Sequence, residues 1–258
     1  MPSPEDPRRP PTLSVVIPVK DDAPALDRCL DMLARQTTAP LEIIVVDNGS
    51  DDHTPQVATR HGVRLITEPA PGIPAAAAAG YDATRGDVVV RCDADTRPPP
   101  DWLHRIRQAF TDHPELDAIT GCGDFYGVPR WRAVVQGRTY LATYYLTMHG
   151  ALAHPPLWGS NMAVRRQRWQ AVREAVHRTD PEVHDDVDLA FALGPHVVIR
   201  RDPTLRVGVS GRSLTGMTQW RRRLRRGVRT IRVNWRRTPV WRRWEVRLVP
   251  RSRPPSQG

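Results

Sequence analysis

Four short apolar runs, separated by segments of helical periodicity, dominate the first hundred residues of this chain. Leu13 to Val19, Leu41 to Val46, Val63 to Thr67 and Asp87 to Cys92 read as strands, rich in β-branched residues. Between them, Ala25 to Arg35, Thr54 to His61 and Ala75 to Thr84 read as helices; in the first, Leu26, Cys29, Leu30 and Leu33 share one face. Strands that alternate with helices in this way form a parallel sheet covered on both faces. An α/β fold with a mostly parallel central sheet is therefore expected. In such open sheets ligands bind outside the carboxyl ends of the strands.

The fourth run leaves the sheet through Asp93-Ala94-Asp95. Two hard oxygen ligands at a strand end suit Mg²⁺ or Mn²⁺ carrying a diphosphate, and so an enzyme with a nucleotide-linked donor. Aspartates at strand ends also serve as turn formers and helix caps, so the pair alone leaves both readings open.

Beyond this point the pattern predicts a helix over Asp101 to Thr111 and a strand over Ala118 to Gly121. A long helix with an aromatic face follows over Trp131 to His149, then a loop that enters a short strand near Met162. Helices over Arg166 to His177 and Asp185 to Leu193 and strands over Val197 to Arg200 and Leu205 to Val209 complete the series. The expected organisation is a disordered proline-rich leader over 1–11, an α/β domain over 12–211, and a basic extension rich in arginine and tryptophan over 212–258.

Composition narrows the class. Cys29, Cys92 and Cys122 show no C-x-x-C spacing, which argues against a disulfide framework or a zinc site. The net charge of +10 comes from 38 basic against 28 acidic residues, and Lys20 is the one lysine, so nearly all of the cations are arginine forks suited to phosphate. No stretch approaches the roughly 20 apolar residues of a membrane span, and the N-terminus has no apolar signal core. The default expectation is a cytoplasmic protein, with peripheral attachment at the inner face of the membrane as a variant.

Four segments in order carry a resemblance to a known family. They are Val15-Val16-Ile17-Pro18-Val19, then Ile43 through Asp52, then Gly86-Asp87 through Asp95, and finally Gly159-Ser160-Asn161-Met162 followed by Asp185-Asp186-Val187-Asp188-Leu189. Together they resemble the family 2 inverting glycosyltransferases of GT-A fold, over roughly residues 13–215. The resemblance implies a metal-dependent transfer of sugar from a nucleotide diphosphate, UDP- or GDP-linked, to a hydroxyl acceptor such as a lipid-linked or cell-envelope glycan. It implies that Asp47 binds the nucleobase, that the backbone of Pro18 and Val19 lies along base and ribose, and that Asp22 stands near the ribose. Asp93 would support the ribose and the metal's surroundings, Asp95 would ligate Mg²⁺ or Mn²⁺, and Asp186 would be the catalytic base. Trp158, Gly159, Ser160 and Asn161 would form the acceptor side.

The chain also departs from the family. Lys20 and Asp21 replace the usual aromatic and asparagine, Ala77 and Ala78 stand where an Arg-Asn pair is common, and no histidine occurs in Val207 to Arg212. Arg212 is a candidate to hold the diphosphate instead. A helix's first turn favours acidic residues in any case, so at least one of Asp185, Asp186 and Asp188 is expected to be structural only.

The extension over 212–253 interleaves arginines with Trp220, Trp235, Trp241 and Trp244. An anionic membrane surface, nucleic acid, and a helical face packed on the domain are all compatible with it, nucleic acid least so. The rival readings of the whole chain are a non-catalytic nucleotide-binding or membrane-associated scaffold of the same fold, and a nucleotidyltransferase. The latter normally has a Gly-rich phosphate loop after the first strand, and Val19 to Asp22 contains no glycine.

Overall fold

The computed structural model describes residues 9–214 and 217–249. The first half of the chain alternates as expected: β1 (Leu13–Val19), α1 (Ala23–Ala34), β2 (Glu42–Asp47), α2 (Thr54–Arg60), β3 (Arg64–Thr67), α3 (Ile73–Asp82) and β4 (Val88–Arg91). There follow α4 (Trp102–Asp112), β5 (Ala118–Tyr126), α5 (Arg130–Leu152), β6 (Met162–Arg165), α6 (Arg166–Val172), α7 (Asp185–Leu193) and β7 (Ile199–Ser210). A short 3₁₀ turn over Gly211–Leu214 precedes α8 (Met217–Trp235) and α9 (Val240–Leu248).

The strands form one sheet in the order β3-β2-β1-β4-β6-β5-β7. The β6 strand runs antiparallel to both neighbours, while the other paired strands are parallel. Alternation along each strand splits the core. Val15, Ile17, Val45, Val88, Val90 and Cys92 pack with α1, α2 and α4, while Val16, Ile44, Val46 and Val89 pack with α3, α6 and α7. Arg91 and Asp93 share the parity of Val89 and so belong to the α3/α7 side. The alanine run in α3 has a steric reason: this helix lies so close to the sheet that Gly80 abuts Val16 and Val46, and Ala76, Ala77 and Ala78 are buried.

Three expectations change. The two closing strands are one, β7, and its register against β5 shifts between Thr120 and Cys122, where β7 inserts the Asp202-Pro203-Thr204-Leu205 segment. Pro203 interrupts the apolar pattern there and made one strand read as two. The helix expected to reach His177 stops at Val172. The β5 strand, expected to end at Gly121, runs on to Tyr126, and Gly121 and Gly123 are the positions over which Asn161 and Trp158 pack. The expected leader falls, for residues 1–8, outside the described residues, as do residues 250–258 of the extension.

The described part of the extension is built into the protein. Thr230 accepts the N–H of His184 at 2.8 Å, and Asn234 donates to Asp188 at 2.7 Å, which ties α8 to α7. Arg243 of α9 is buried, donates to the carbonyls of Leu152 and Phe191, and lies 3.3 Å from His154 Nε2. Burial pulls its pKa down to about 10 and that of His154 down to about 4, so the imidazole is a neutral acceptor at pH 7. None of the described helices is long and apolar enough to cross a membrane. The close approach of α3 predicts that Gly80→Ala, whose methyl would overlap Val16 and come within 2.8 Å of Val46 Cγ2, destabilises the fold. An effect of about 1–3 kcal/mol is expected, read from the shift in urea unfolding midpoint.

Candidate active site

Parallel strands deliver their carboxyl ends to one edge of the sheet. There β1 ends at Val19, β2 at Asp47, β4 at Arg91, and β7 runs into the turn that carries Arg212. Because β6 alone runs the other way, its N-terminal loop, Trp158 to Asn161, reaches the same edge.

On the β1/β2 side the two loops are zipped together. Lys20 donates to the Gly49 carbonyl at 2.6 Å, the Asp21 N–H donates to Ser50 Oγ at 3.0 Å, and Asp52 accepts the Ala23 N–H at 2.9 Å. Asp21 itself takes the left-handed conformation, φ 52°, and accepts the Asp51 N–H at 2.8 Å. Lys20 and Asp21 are thus used in fastening the loops. Asp47 is buried beneath them and takes the Ser50 N–H at 3.2 Å. Asn48 donates to the carbonyls of Glu68 and Ala70 and accepts the Gly72 N–H, fixing the next loop.

A row of alternating charges crosses the rest of the edge. Asp22 and Asp95 flank Arg212, whose Nη2 stands 2.6 Å and 3.6 Å from their Oδ2 atoms. Asp93 accepts from Arg91 Nη2 at 3.1 Å and from Ser160 Oγ at 2.5 Å. Arg91 Nη1 lies 2.8 Å from Asp185 Oδ2, close enough for an ion pair, although its N–H is not aimed for a hydrogen bond. The Gly159 N–H donates to Asp186 Oδ2 at 2.8 Å, and Asp186 Oδ1 takes the Val187 N–H at 2.8 Å. Consecutive residues of one loop, Gly159 and Ser160, therefore bind Asp186 and Asp93 and hold the two together. Asp95 is fixed through its carbonyl, which accepts from Tyr126 at 2.6 Å, and Arg97 stacks over that ring.

The structure takes two residues out of the expected acceptor side. Asn161 is fully buried; its Nδ2 donates to the carbonyls of Cys122 and Leu205, and its Oδ1 accepts from Trp102. Both amide hydrogens are engaged and the side chain is closed off from solvent; Asn161 ties β6 to the β5/β7 irregularity. Trp158 is also buried, with its ring over Gly123. Asp188 is the structural aspartate of α7: it accepts from the His177 N–H and from Asn234, and pairs with the His177 ring. The ring of His184, one residue before Asp185, lies 3.1 Å from the Arg223 carbonyl.

Arg91 is the residue that sequence reasoning missed. It hides in an apolar run, Val88-Val89-Val90-Arg91-Cys92, and a single cation there looks like noise. The signal was its parity, two residues before Asp93 and so on the same face. Burial works against its charge, but Asp185, Tyr81 and Asp93 outweigh burial and raise its pKa. A Cβ at Gly159 would overlap Arg91 Nη1, so any other residue there has to displace the buried guanidinium. The Ala77-Ala78 pair lines a small pocket with Tyr81, Trp169, Asp185 and Leu189.

Burial, then the neighbouring Asp93, pushes the Asp95 carboxyl up to about 6, against the pull of Arg212. Burial raises Asp185 as well, with Arg91 opposing it. No cluster of three His, Cys, Asp or Glu side chains stands ready as a metal cage among the described residues. The donor set nonetheless fits Mg²⁺ or Mn²⁺, which bind through one or two carboxylates and take their remaining ligands from phosphate and water.

Residues 14–171 match the sequence profile of Glycosyl transferase family 2, more than half of the chain. This chain belongs to that family. It is 30% identical over 121 residues to the uncharacterized glycosyltransferase EpsJ of Bacillus subtilis (strain 168), an alignment covering 45% of this chain and 34% of the relative. It is 33% identical over 104 residues to the undecaprenyl-phosphate 4-deoxy-4-formamido-L-arabinose transferase of Serratia proteamaculans (strain 568), covering 36% and 32%. The chain thus spans about a third of the length of the curated relatives it matches. Its structure superposes on the mannosyltransferase PcManGT from Pyrobaculum calidifontis, solved with GDP-Man and Mn²⁺, with a TM-score of 0.64, 21% identity, and coverage of 95% and 72%. At that identity the likeness is one of fold, and the fold is of GT-A type.

Two predictions follow from the charge row in this family member. Gly159→Ala forces the buried guanidinium aside and is expected to cost about 1–3 kcal/mol in unfolding free energy, read from the shift in urea midpoint. Asp95 has a folded pKa of about 6 against an ordinary 3.8. The folded state therefore keeps a proton that the unfolded state has lost, and this contribution disappears as pH rises through about 6. In metal-free buffer, the melting temperature of the native protein should fall more between pH 4.5 and 7.5, buffer values chosen to bracket that pKa at roughly a unit and a half on each side, than that of Asp95→Asn.

Proposed function

We propose that this chain is a metal-dependent inverting glycosyltransferase, moving a sugar from a UDP- or GDP-linked donor to a hydroxyl acceptor. The observation that carries the reading is the charge of the strand edge. Five carboxylates, Asp22, Asp93, Asp95, Asp185 and Asp186, meet two guanidiniums, Arg91 and Arg212, and even with Arg226, whose charge also acts on Asp185 and Asp186, carboxylates are in excess when all are ionised. Such an edge repels a diphosphate that comes alone and accepts one that comes with a divalent cation. When bound at Asp95, Mg²⁺ or Mn²⁺ would supply Lewis-acid stabilisation of charge on the leaving diphosphate.

The chain's own residues do the rest. Asp47, which ends β2 next to Pro18 and Val19 of β1, would accept from a ring N–H of the base. Asp22 and Asp93 serve the ribose, and Arg212 exchanges its carboxylate partners for the diphosphate. Asp186 takes the proton of the acceptor hydroxyl as its oxygen attacks the anomeric carbon. The Gly159 N–H holds that carboxylate in place. Gly159 and Ser160 form the acceptor floor, with Trp158 and Asn161 as its underlayer. The relative named as an undecaprenyl-phosphate transferase supports a lipid-linked acceptor, and PcManGT, solved with GDP-Man and Mn²⁺, supports the donor class.

A thermal-shift screen of nucleotide diphosphates and nucleotide sugars, with and without Mn²⁺, tests the donor reading. A ligand of the folded state raises the melting temperature, and the rise should require the metal. Asp186→Asn should keep that shift while transfer falls by about 10²–10⁴-fold. Asp95→Ala should lose the metal-dependent part of the shift. Full turnover by Asp95→Ala would refute the metal assignment.

A further inference from the structure

Large apolar side chains are exposed at few places on this protein, and nearly all of them cluster. Of thirteen such residues among the described ones, only Leu41 and Ile73 lie away from α5, α8, α9 and the adjoining Val249. On α5 they form a stripe at helical spacing, Trp131 (61% exposed), Val135 (58%) and Leu146 (77%). Leu224 (71%) on α8 and Trp241 (63%) and Leu248 (72%) on α9 are exposed as well. The three helices form one layer: Trp220 packs edge-on against Tyr140, Trp235 donates to the Ala151 carbonyl, and Trp244 donates to the Gly150 carbonyl.

The cations of this layer fall into two groups. Arg225 and Arg229 pair inward with Glu182 and Asp180, and Arg243 is buried. Arg221, Arg232 and Arg236, with Arg242 on α9, are exposed and make no ion pair with any described residue. Glu245 is the one acidic residue between Met217 and Val249.

We propose that α5, α8 and α9 together form a face that docks on an anionic lipid bilayer, with the α5 stripe and Leu224 at the acyl boundary and the unpaired arginines at the headgroups. The apolar contact comes largely from α5, outside the arginine-rich segment. Charge complementarity selects this occupant. A second copy of the chain would set arginine against arginine in a two-fold contact. Single-stranded nucleic acid would find two well-exposed stacking aromatics, Trp131 and Trp241, but the aliphatic Val135, Leu146, Leu224 and Leu248 outnumber them and have no π face. Aliphatic side chains framed by arginines and tryptophans match a bilayer interface. The turn that carries Arg212 packs on α5, so docking would bring the carboxylate edge alongside the membrane. Only that consequence rests on the proposed transfer activity.

Co-sedimentation of the full chain with phosphatidylcholine vesicles, with and without phosphatidylglycerol, tests the docking without any assay of transfer. Binding should require phosphatidylglycerol and weaken with salt. The double variant Trp131→Glu/Leu146→Glu, at exposed positions that leave melting unchanged, should bind about tenfold more weakly or worse. Arg221→Gln and Arg232→Gln should each cost about fivefold, and Leu41→Glu should cost nothing. The proposal falls if the native chain ignores phosphatidylglycerol vesicles, or if the α5 double variant binds like the native chain. It falls equally if the same variant instead disperses a solution dimer, or if single-stranded RNA binds this face and vesicles do not.

Discussion

A guanidinium almost without access to solvent stands between the carboxylates of Asp93 and Asp185, and the geometry of the strand edge follows from it. Removing such an ion from water costs several kcal/mol, and loss of one partner of a buried pair typically costs about 3–5 kcal/mol. Arg91 therefore cannot be exchanged freely, and its neighbours are arranged to keep it. Gly159 lacks the Cβ that would strike it, Asp93 and Asp185 neutralise it from two sides, and Ser160 completes the hydrogen bonding of Asp93. Residues from three parts of the chain, β4, the loop before β6 and the start of α7, are thus locked around one cation.

The same arrangement bears on the departure at Ala77 and Ala78. Both are buried against the sheet side of α3, where Gly80 touches Val16 and Val46. A long side chain there would need room that this close helix does not offer. The positive charge on this side of the sheet comes from β4 instead, and Tyr81 and Asp185 lie in its field.

The alternation of the first half was legible because each element carries its own periodicity: Leu13 to Val19 can only be a buried strand, and Leu26, Cys29, Leu30 and Leu33 only a helix face. The positions of Asp47, Asp93, Asp95 and Asp186 at one edge followed from the strand ends and from the family resemblance. What escaped was whatever depends on partners distant in sequence. The β7 strand looked like two because Pro203 breaks the apolar pattern, while the pairing that unites them lies with β5. The strand expected to end at Gly121 continues to Tyr126, with Gly121 and Gly123 lying under Asn161 and Trp158. The family resemblance put Asn161 on the acceptor side; its burial against Trp102, Cys122 and Leu205 is a tertiary fact.

Net charge shows the same limit. The chain's +10 suggests a uniform basic protein, but the structure sorts the cations by what they face. Arg91 and Arg212 serve carboxylates at an edge that remains net negative. Arg225 and Arg229 hold α8 against Asp180 and Glu182, and Arg243 pins α9 to buried carbonyls. What remains for an external partner is a smaller set, gathered with the exposed apolar residues on one layer of helices. Since surface charges act within about 8–10 Å at physiological salt, the local grouping and not the total decides what the protein attracts. On the proposed reading, an anionic substrate would reach the carboxylate edge with its cation, while an anionic surface would meet the arginines directly.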